Sequence, residues 1–360
     1  MNVFFSALPN YNPYQQYQQY QQCPSQKAII NFSKINGIND TSFINSTLQA
    51  LGSLNSIFIW IKNWSNNIYM LNNNTKFRLT KEIFNLFYTL YQGQFPDSSN
   101  FILHYLNNVK NINNSLSYNP IDFLYYLIKL IHSENNFPSN PSQNMNTFDN
   151  LTIAQKVNDD YVRNLFYSLL SQTHNSIISQ NFFTILKTEF RCNNCSIIYS
   201  YQYKFMIKFA ISDYINFRNC SNPQKSMYKL NLEECFDCYT GGNPYKCVIC
   251  RSHTAKSYTS IYSLPKVLII ALIRKTHTYC GDLDFTNNLN LNGYCVQGNY
   301  TQNPYSLKAC VSLNKQGQTF TDIKTNNNFW FRYYGNQIMP LNNVNEELKT
   351  FEPQLLIYES

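Results

Sequence analysis

The chain has 360 residues, of which 44% are apolar and 16% aromatic, so it can bury a sizeable core in one large domain or two ordinary ones. Only 13% of the residues are charged, and the net charge of +8 comes from scattered Lys and Arg residues. This moderate basic bias permits contact with nucleic acid or an acidic partner, and it is equally typical of a basic surface without a function.

Eleven cysteines would suit a secreted protein held together by disulfides. The first residues, Met1–Phe5, however, lack the basic region and the apolar stretch of a signal peptide, and the first basic residue, Lys27, comes too late for a matrix-targeting presequence. No apolar run reaches the ~20 residues that a membrane span needs. We therefore expect an intracellular protein without a membrane span, in the cytoplasm or nucleus or, as an alternative, in an organelle, with reduced or metal-bound thiols.

The N-terminal residues 1–26 have low sequence complexity. Tyrosines recur at every third position from Tyr11 to Tyr20 in a Gln-rich setting. Such a composition predicts a disordered tail, which is either a docking arm that orders on a partner or an inert segment. We predict that residues 27–360 form a single folded domain.

The pattern of apolar residues predicts helices first and strands later. Residues 38–95 show helical periodicity, and a second helix begins where Asn119 is an N-cap and Pro120 occupies the first helical position. Polar residues predict a loop over 134–158, and a further helix follows at 160–172. Runs rich in Tyr, Phe and Ile then predict strands over 182–190, 197–211 and 264–273.

The stretch from Asn39 to Leu51 is predicted to be a loop that runs into a buried helix. Asp40, Thr41 and Ser42 are competent N-cap residues, and apolar side chains then recur at helical spacing. Ser42 is therefore expected at a helix N-terminus, where unpaired N–H groups and the helix dipole favour an anion. Cysteine proteases place their nucleophile at such a position, because the local field lowers the pKa of the thiol.

Residues 34–51 resemble the cysteine box of the ubiquitin-specific protease family, which is roughly G-L-x-N-x-G-N-T-C-[FY]-M-N-S-x-L-Q-x-L. Further stretches, including 264–273 and 283–295, resemble other boxes of the family in the family's order, so that the resemblance runs from about residue 30 to residue 358. It implies the family's α+β fold, a papain-like cysteine-protease fold with a thumb, a palm and zinc-knuckled β-rich fingers at approximately 182–262.

The resemblance also locates the family's catalytic triad, and all three positions have changed. Ser42 replaces the nucleophilic cysteine, Thr319 stands in place of the basic histidine, and Tyr334 stands in place of the orienting aspartate. Gly37 occupies the position of the oxyanion-hole asparagine, and the adjacent Asn36 would substitute for it if the loop shifted. Because threonine accepts no proton near pH 7, the hydroxyl of Ser42 would lack an activating base.

Family members hold the arginine-bearing tail of ubiquitin with acidic residues at the start of the second predicted helix. In this chain the corresponding box has Asn119 at one carboxylate position, while Asp122 keeps an acid at the other. The resemblance therefore implies a weakened contact with the ubiquitin tail.

Two CxxC pairs suit a tetrahedral Zn²⁺ site. The four members of these pairs are Cys192, Cys195, Cys247 and Cys250. On spacing alone, Cys235 and Cys238 compete with the first pair, and free thiols are a further alternative. The resemblance to the family favours the first set, because it places Cys235 on a helix as a buried residue. Four thiolates leave no open position for a substrate, so such a zinc ion would be structural.

The resemblance and the altered triad together predict a catalytically inactive protein that is a scaffold or interaction subunit of a larger protein assembly. Three alternatives stay open: a weak deubiquitinating hydrolase that uses Ser42 with another base, a reader that binds ubiquitin or a ubiquitin-like protein without cleavage, and a nucleic-acid contact through the basic surface. Among the five histidines, His277 is the most suitable substitute base, because it follows the strand predicted at 264–273.

Overall fold

A computed structural model of the chain describes residues 41–65, 77–110, 119–137, 150–153, 159–195, 197–211, 214, 229–274, 282–296 and 304–360. The predicted tail at 1–26 lies outside these residues, as do Asn36, Gly37 and His277. The boundaries predicted for the tail and for the domain therefore stay predictions.

Helices dominate the first half of the described chain. The α-helices are α1 (Ser42–Gly52), α2 (Asn55–Ser65), α3 (Arg78–Tyr91), α4 (Ser99–Lys110), α5 (Pro120–Asn135), α6 (Asp159–Thr173), α7 (Ile177–Phe182), α8 (Leu232–Thr240) and α9 (Val344–Glu347), and a 3₁₀ helix covers Asn292–Tyr294. The helices predicted within 38–95, from Pro120 and at 160–172 are thus confirmed.

Strands dominate the second half. They are β1 (Asn150–Ile153), β2 (Thr184–Arg191), β3 (Ile198–Lys204), β4 (Ile207–Ala210), β5 (Lys229–Asn231), β6 (Asn243–Tyr245), β7 (Ala255–Ser263), β8 (Val267–Ile273), β9 (Asp282–Asp284), β10 (Asn288–Leu289), β11 (Tyr305–Leu313), β12 (Thr319–Lys324), β13 (Trp330–Tyr334), β14 (Gln337–Pro340) and β15 (Glu352–Glu359). The buried strand predicted at 264–273 is confirmed as β8.

The strands form two main sheets. A five-stranded sheet has the order β1-β3-β2-β7-β6, and an eight-stranded sheet has the order β14-β13-β12-β11-β15-β8-β4 with β10 against β11. β5 and β9 pair separately. The pairings in both main sheets are antiparallel except for that of β4 with β8, which is parallel, as is the separate pair of β5 and β9. The α+β fold predicted from the sequence is confirmed.

The structure corrects two predictions about the strand-rich part. The sequence predicts one strand over 197–211, but β3 belongs to the five-stranded sheet and β4 to the eight-stranded sheet. Phe205 and Met206 lie between β3 and β4 and are buried, so the apolar pattern of the sequence continues from one strand into the next and does not show where β3 ends. β1 lies within the loop predicted at 134–158, where it pairs with β3 as an edge strand.

Helix α1 is the buried centre of the helical part. All eleven of its residues are buried, and Ile44, Leu48 and Leu51 join the main apolar core. The ring of Phe43 meets that of Phe123 on α5 edge-on, with 5.9 Å between their centroids. On its other side α1 packs against β12. α1 therefore connects the helices with the eight-stranded sheet.

Two helices receive their N-terminal caps from remote carboxylates. Glu359, at the end of β15, accepts hydrogen bonds from the N–H of Asn55 (3.2 Å) and of Ser56 (2.8 Å), and from the Ser56 hydroxyl (2.7 Å). Glu134 on α5 accepts from the first N–H groups of α3 in the same way, at Leu79 (3.0 Å) and Thr80 (2.7 Å). Because a helix N-terminus favours negative charge, both contacts stabilise the packing of the helix on its neighbour.

We expect Glu359→Ala to lower the free energy of unfolding by about 1–2 kcal/mol, because it leaves the first N–H groups of α2 without their acceptor in a partly buried setting. Urea denaturation followed by circular dichroism measures this change. Lys315→Ala, which removes an exposed charge from the turn between β11 and β12, is the control and is expected to change stability by less than about 0.5 kcal/mol. Equal effects of the two substitutions would show that the cap contributes nothing.

Within the described part of the chain, no helix combines the length and the apolar character that crossing a membrane requires.

Candidate functional site

Ser42 begins helix α1 and lies against strand β12. The preceding residue, Thr41, makes no side-chain capping hydrogen bond. Ser42 is 7% exposed, and its Oγ accepts a hydrogen bond of 3.1 Å from the backbone N–H of Thr319. One turn later, the Ser46 hydroxyl donates to the carbonyl oxygen of Thr319 at 3.0 Å. Both backbone groups of Thr319 are therefore engaged by the first turns of α1.

Tyr334 lies beside this contact on strand β13. β12 and β13 are antiparallel, with Thr321 opposite Tyr333, so the start of β12 faces the end of β13. The hydroxyl of Tyr334 donates to Oε1 of Gln318, the neighbour of Thr319, and accepts from Nδ2 of Asn314 at 3.2 Å. The structure thus brings the three positions predicted from the sequence into one neighbourhood, with direct contact between Ser42 and Thr319.

The side chains gathered here carry hydroxyl and amide groups. They belong to Ser42, Ser46, Asn314, Gln318, Thr319 and Tyr334. None of these groups accepts a proton from a hydroxyl near pH 7, so the described side chains at this place offer hydrogen bonds but no general base. The position of Gly37, predicted to replace an oxyanion-hole donor, lies outside the described residues.

Sequence reasoning missed three members of this group. Ser46 lies within the cysteine box and would have been found from its position one turn after Ser42. Asn314 and Gln318 sit in and after the turn between β11 and β12, where the Asn314 side chain accepts from the N–H groups of Gln316 and Gln318, each at 2.9 Å. Their approach to Tyr334 depends on strand pairing, for which the sequence gives no local signal.

Four cysteine thiols meet where β2 ends and β7 begins in the five-stranded sheet. Their sulfur atoms all lie within 4.8 Å of one another, and they belong to Cys192, Cys195, Cys247 and Cys250. The two sulfurs of Cys192 and Cys250 are 3.5 Å apart. A tetrahedral zinc ion with bonds of about 2.3 Å requires sulfur separations of about 3.8 Å, so this donor set fits Zn²⁺.

The chemistry of the thiols also fits a metal. Backbone N–H groups, first that of Cys250 and then that of Ile249, lower the pKa of Cys247 to about 7, whereas hydrogen bonds from neighbouring thiols, led by Cys250, raise the pKa of Cys195 to about 12. A metal binds thiols in their deprotonated form, so a divalent metal bound to these four thiols would displace their protons.

The competing cysteine pair is placed elsewhere. Cys235 is fully buried on α8 in the second apolar cluster, and Cys238 follows one turn later on the same helix. Among the residues that the structure describes, the four-cysteine group is the one set of His, Cys, Asp and Glu side chains arranged to hold a metal ion. The geometry therefore supports the first set of cysteines over the alternative with Cys235.

A family model described as ubiquitin carboxyl-terminal hydrolase matches residues 34–358. The chain belongs to the ubiquitin carboxyl-terminal hydrolase family. No curated protein matches its sequence.

Solved structures of this family have the same fold. The SAGA Ubp8/Sgf11/Sus1/Sgf73 DUB module bound to ubiquitin aldehyde matches with a TM-score of 0.62 and 18% identity, over 92% of this chain and 68% of that chain. The SAGA DUB module bound to monoubiquitin matches with a TM-score of 0.61 and 19% identity (92% and 68%), and the yeast SAGA DUB module with 0.60 and 19% (92% and 67%). At these identities the likeness shows the fold, and it confirms the papain-like α+β fold predicted from the sequence.

Asn119 and Asp122, the predicted contacts with the ubiquitin tail, form the cap of α5. The N–H of Asp122 donates to Oδ1 of Asn119 at 2.8 Å, and Nδ2 of Asn119 donates to Oδ2 of Asp122 at 2.9 Å. The predicted N-cap at Asn119 with Pro120 in the first turn is confirmed. Both side chains thus have a structural role that is independent of any ligand.

Two histidines of this family member stack in the interior, away from the start of α1. The rings of His132 and His174 are 5.2 Å apart and nearly parallel, at 6°. Nδ1 of His132 lies 2.6 Å from Oγ of Ser176, and Nε2 of His174 lies 2.9 Å from the hydroxyl of Tyr203. Burial, and then the neighbouring His174, lower the pKa of His132 to about 3. His132 is therefore neutral at physiological pH.

Acid is expected to destabilise the fold through His132. The unfolded chain protonates this ring near pH 6.5, while the folded chain keeps it neutral down to about pH 3, so its contribution is complete above pH 6.5 and is lost as the pH falls. The slope is at most about 1.4 kcal/mol per pH unit. We expect His132→Gln to reduce the slope of unfolding free energy with pH, relative to the natural chain, between about pH 6.5 and 5, measured by urea denaturation. An unchanged slope in His132→Gln would contradict this assignment.

Proposed function

We propose that this chain is a non-catalytic member of its family that serves as a scaffold or interaction subunit of a larger protein assembly. The observation that carries the proposal is the hydrogen bond from the backbone N–H of Thr319 to Oγ of Ser42. A backbone amide holds the hydroxyl that occupies the nucleophile's position, and threonine occupies the position of the base. Acyl transfer by serine needs a base in hydrogen-bond reach, and this arrangement provides none from Thr319 or Tyr334.

The remaining parts of the proposal concern the metal and the partners. The four-thiol cluster would hold a structural Zn²⁺ that fixes the end of the five-stranded sheet, and its donor set supports that assignment. The similar SAGA structures contain several named proteins, which supports a role for this chain beside protein subunits. An intracellular location accords with these parts of the proposal.

An activity assay tests the proposal directly. Purified protein is incubated with ubiquitin that carries a fluorophore at its C-terminus, and an active family member is the positive control. We expect no release above the buffer rate, and no difference between the natural chain and Ser42→Ala, because the loss of general-base catalysis alone costs about 10²–10⁴-fold. Release that Ser42→Ala abolishes would replace the proposal with a weak serine hydrolase.

A titration of isotope-labelled ubiquitin separates the scaffold from the reader. Chemical-shift changes at micromolar protein in the absence of hydrolysis would identify a ubiquitin reader. Unchanged spectra are expected if Asn119 and Asp122 act only as the cap of α5.

A further inference from the structure

A crevice of about 940 Å³ opens between the helical part and both sheets. α5 lines one side, β3 and β4 line the floor, and α8, β6 and β7 close the far side. Its volume lies at the upper end of the range for ligand sites. The residues around Ser42 do not contribute to it, so the crevice is separate from the altered triad.

Among the described residues, the charged side chains that line the crevice are all basic. They are Lys129, Lys204 and Lys208, and this part of the lining contains no Asp or Glu. Among the described residues, no carboxylate lies within 4.0 Å of the ammonium groups of Lys129 or Lys208. Both ammonium groups instead stand near the ring of Tyr125, at 5.8 Å and 4.7 Å from its centroid. The two positive charges beside this ring repel each other, and an anion bound between them would lower that repulsion.

Below the lysines, the crevice has an aromatic floor. Tyr203 and Phe205 are each 8% exposed, and Phe183 stacks on Tyr203 with 4.3 Å between ring centroids. This packing gives the floor a fixed shape. A basic rim over a rigid aromatic floor suits a ligand that carries both negative charge and apolar groups.

Two sheet edges border the crevice. β4 is the last strand of the eight-stranded sheet and β6 the last of the five-stranded sheet in the described part of the chain, and Lys208 and Asn243 on these strands line the crevice. The open edge of a strand pairs with an extended polypeptide through backbone hydrogen bonds. Nucleic acid has no such groups, and its backbone needs a longer basic groove.

We propose that this crevice binds an extended acidic segment of a partner protein, with the carboxylates on Lys129 and Lys208 and apolar side chains on the aromatic floor. This binding site would specify which kind of protein the interaction subunit proposed above binds. It rests on the proposed function only for its biological setting. Hydrolysis of ubiquitin by the chain would refute the proposed function and leave this binding site intact.

Selection from a random peptide library on the immobilised full chain tests the proposal. We expect enrichment of Asp and Glu on the natural chain, and loss of that enrichment on Lys129→Glu/Lys208→Glu. Lys256→Glu/Lys315→Glu makes the same charge change at exposed positions outside the crevice and is expected to retain it. For a selected peptide, fluorescence anisotropy should show about tenfold or weaker binding to the crevice variant, and weaker binding to the natural chain at high salt.

The proposal would be overturned by enrichment of basic or uncharged peptides, by no enrichment, or by equal binding to the two double variants. A single-stranded oligonucleotide is tested in parallel. If the oligonucleotide bound the natural chain and bound Lys129→Glu/Lys208→Glu more weakly, while no acidic peptide bound, the crevice would be a nucleic-acid site. Circular dichroism of both double variants checks that the charge changes leave the fold intact.

Discussion

Removal of the proposed zinc ion is expected to unfold the end of the five-stranded sheet and to give the largest stability change of any site in the described part of the chain. The four thiols lie within 4.8 Å of one another, and structural zinc sites contribute about 10–16 kcal/mol of binding free energy in isolated peptides. This binding free energy equals or exceeds the free energy of unfolding of a typical domain, roughly 5–15 kcal/mol. The apolar core around α1 lies outside the cluster, so we expect local unfolding rather than collapse of the chain.

Metal analysis and hydrogen exchange measure this outcome. The natural chain should contain one zinc ion, and Cys247→Ser or a strong chelator should remove it. Amide protection should then fall where β2 pairs with β7, from Phe190 to Arg191 and from Lys256 to Ser257, while α1 stays protected. Cys238→Ser, on α8, is the matched control and should retain zinc. Loss of zinc from Cys238→Ser would instead support the alternative cysteine set, and a zinc-free natural chain would refute the site.

The parts of the fold that the sequence predicts depend on local signals. α1 follows from apolar spacing after N-cap residues, α5 from Asn119 before Pro120, and the four-cysteine cluster from two CxxC pairs. Within each helix start and each CxxC pair, the residues that decide the structure lie within a few positions of one another. Ser42 and Thr319 are 277 residues apart, and a second kind of signal, the order of the family's boxes, assigned both of them to triad positions.

The parts that the sequence does not predict depend on tertiary packing. Glu359 caps α2 from a position 303 residues along the chain from Ser56, and no pattern near either residue indicates the contact. The step from β3 to β4 is hidden because buried aromatic residues continue through it. The crevice likewise combines lysines from α5, β3 and β4, so its basic character appears only when those elements are assembled.

A buried ion pair on the two strands that carry Thr319 and Tyr334 is expected to be the next most sensitive feature. Asp322 and Arg332 face each other across β12 and β13, with two parallel hydrogen bonds of 2.8 and 2.9 Å. The Asp322 side chain is 1% exposed, and the guanidinium of Arg332 lies beside the rings of Phe320 and Phe351, at 4.5 and 4.6 Å from their centroids. Removal of one partner leaves a buried charge without its counterion, which costs about 3–5 kcal/mol.

We therefore expect Arg332→Met to lower the free energy of unfolding by about 3–5 kcal/mol in urea denaturation, whereas Asp322→Leu/Arg332→Met, which removes both charges, should cost much less. Burial already raises the pKa of Asp322 to about 6 against the opposing effect of Arg332, so the loss of Arg332 raises that pKa further. The folded variant then keeps a proton that the unfolded chain has released, and its stability should fall relative to the natural chain as the pH rises above about 6. The double variant lacks the carboxyl group and should show no such fall. A loss of stability in the double variant at least as large as in Arg332→Met, independent of pH in both, would show that Asp322 and Arg332 contribute separately rather than as a pair.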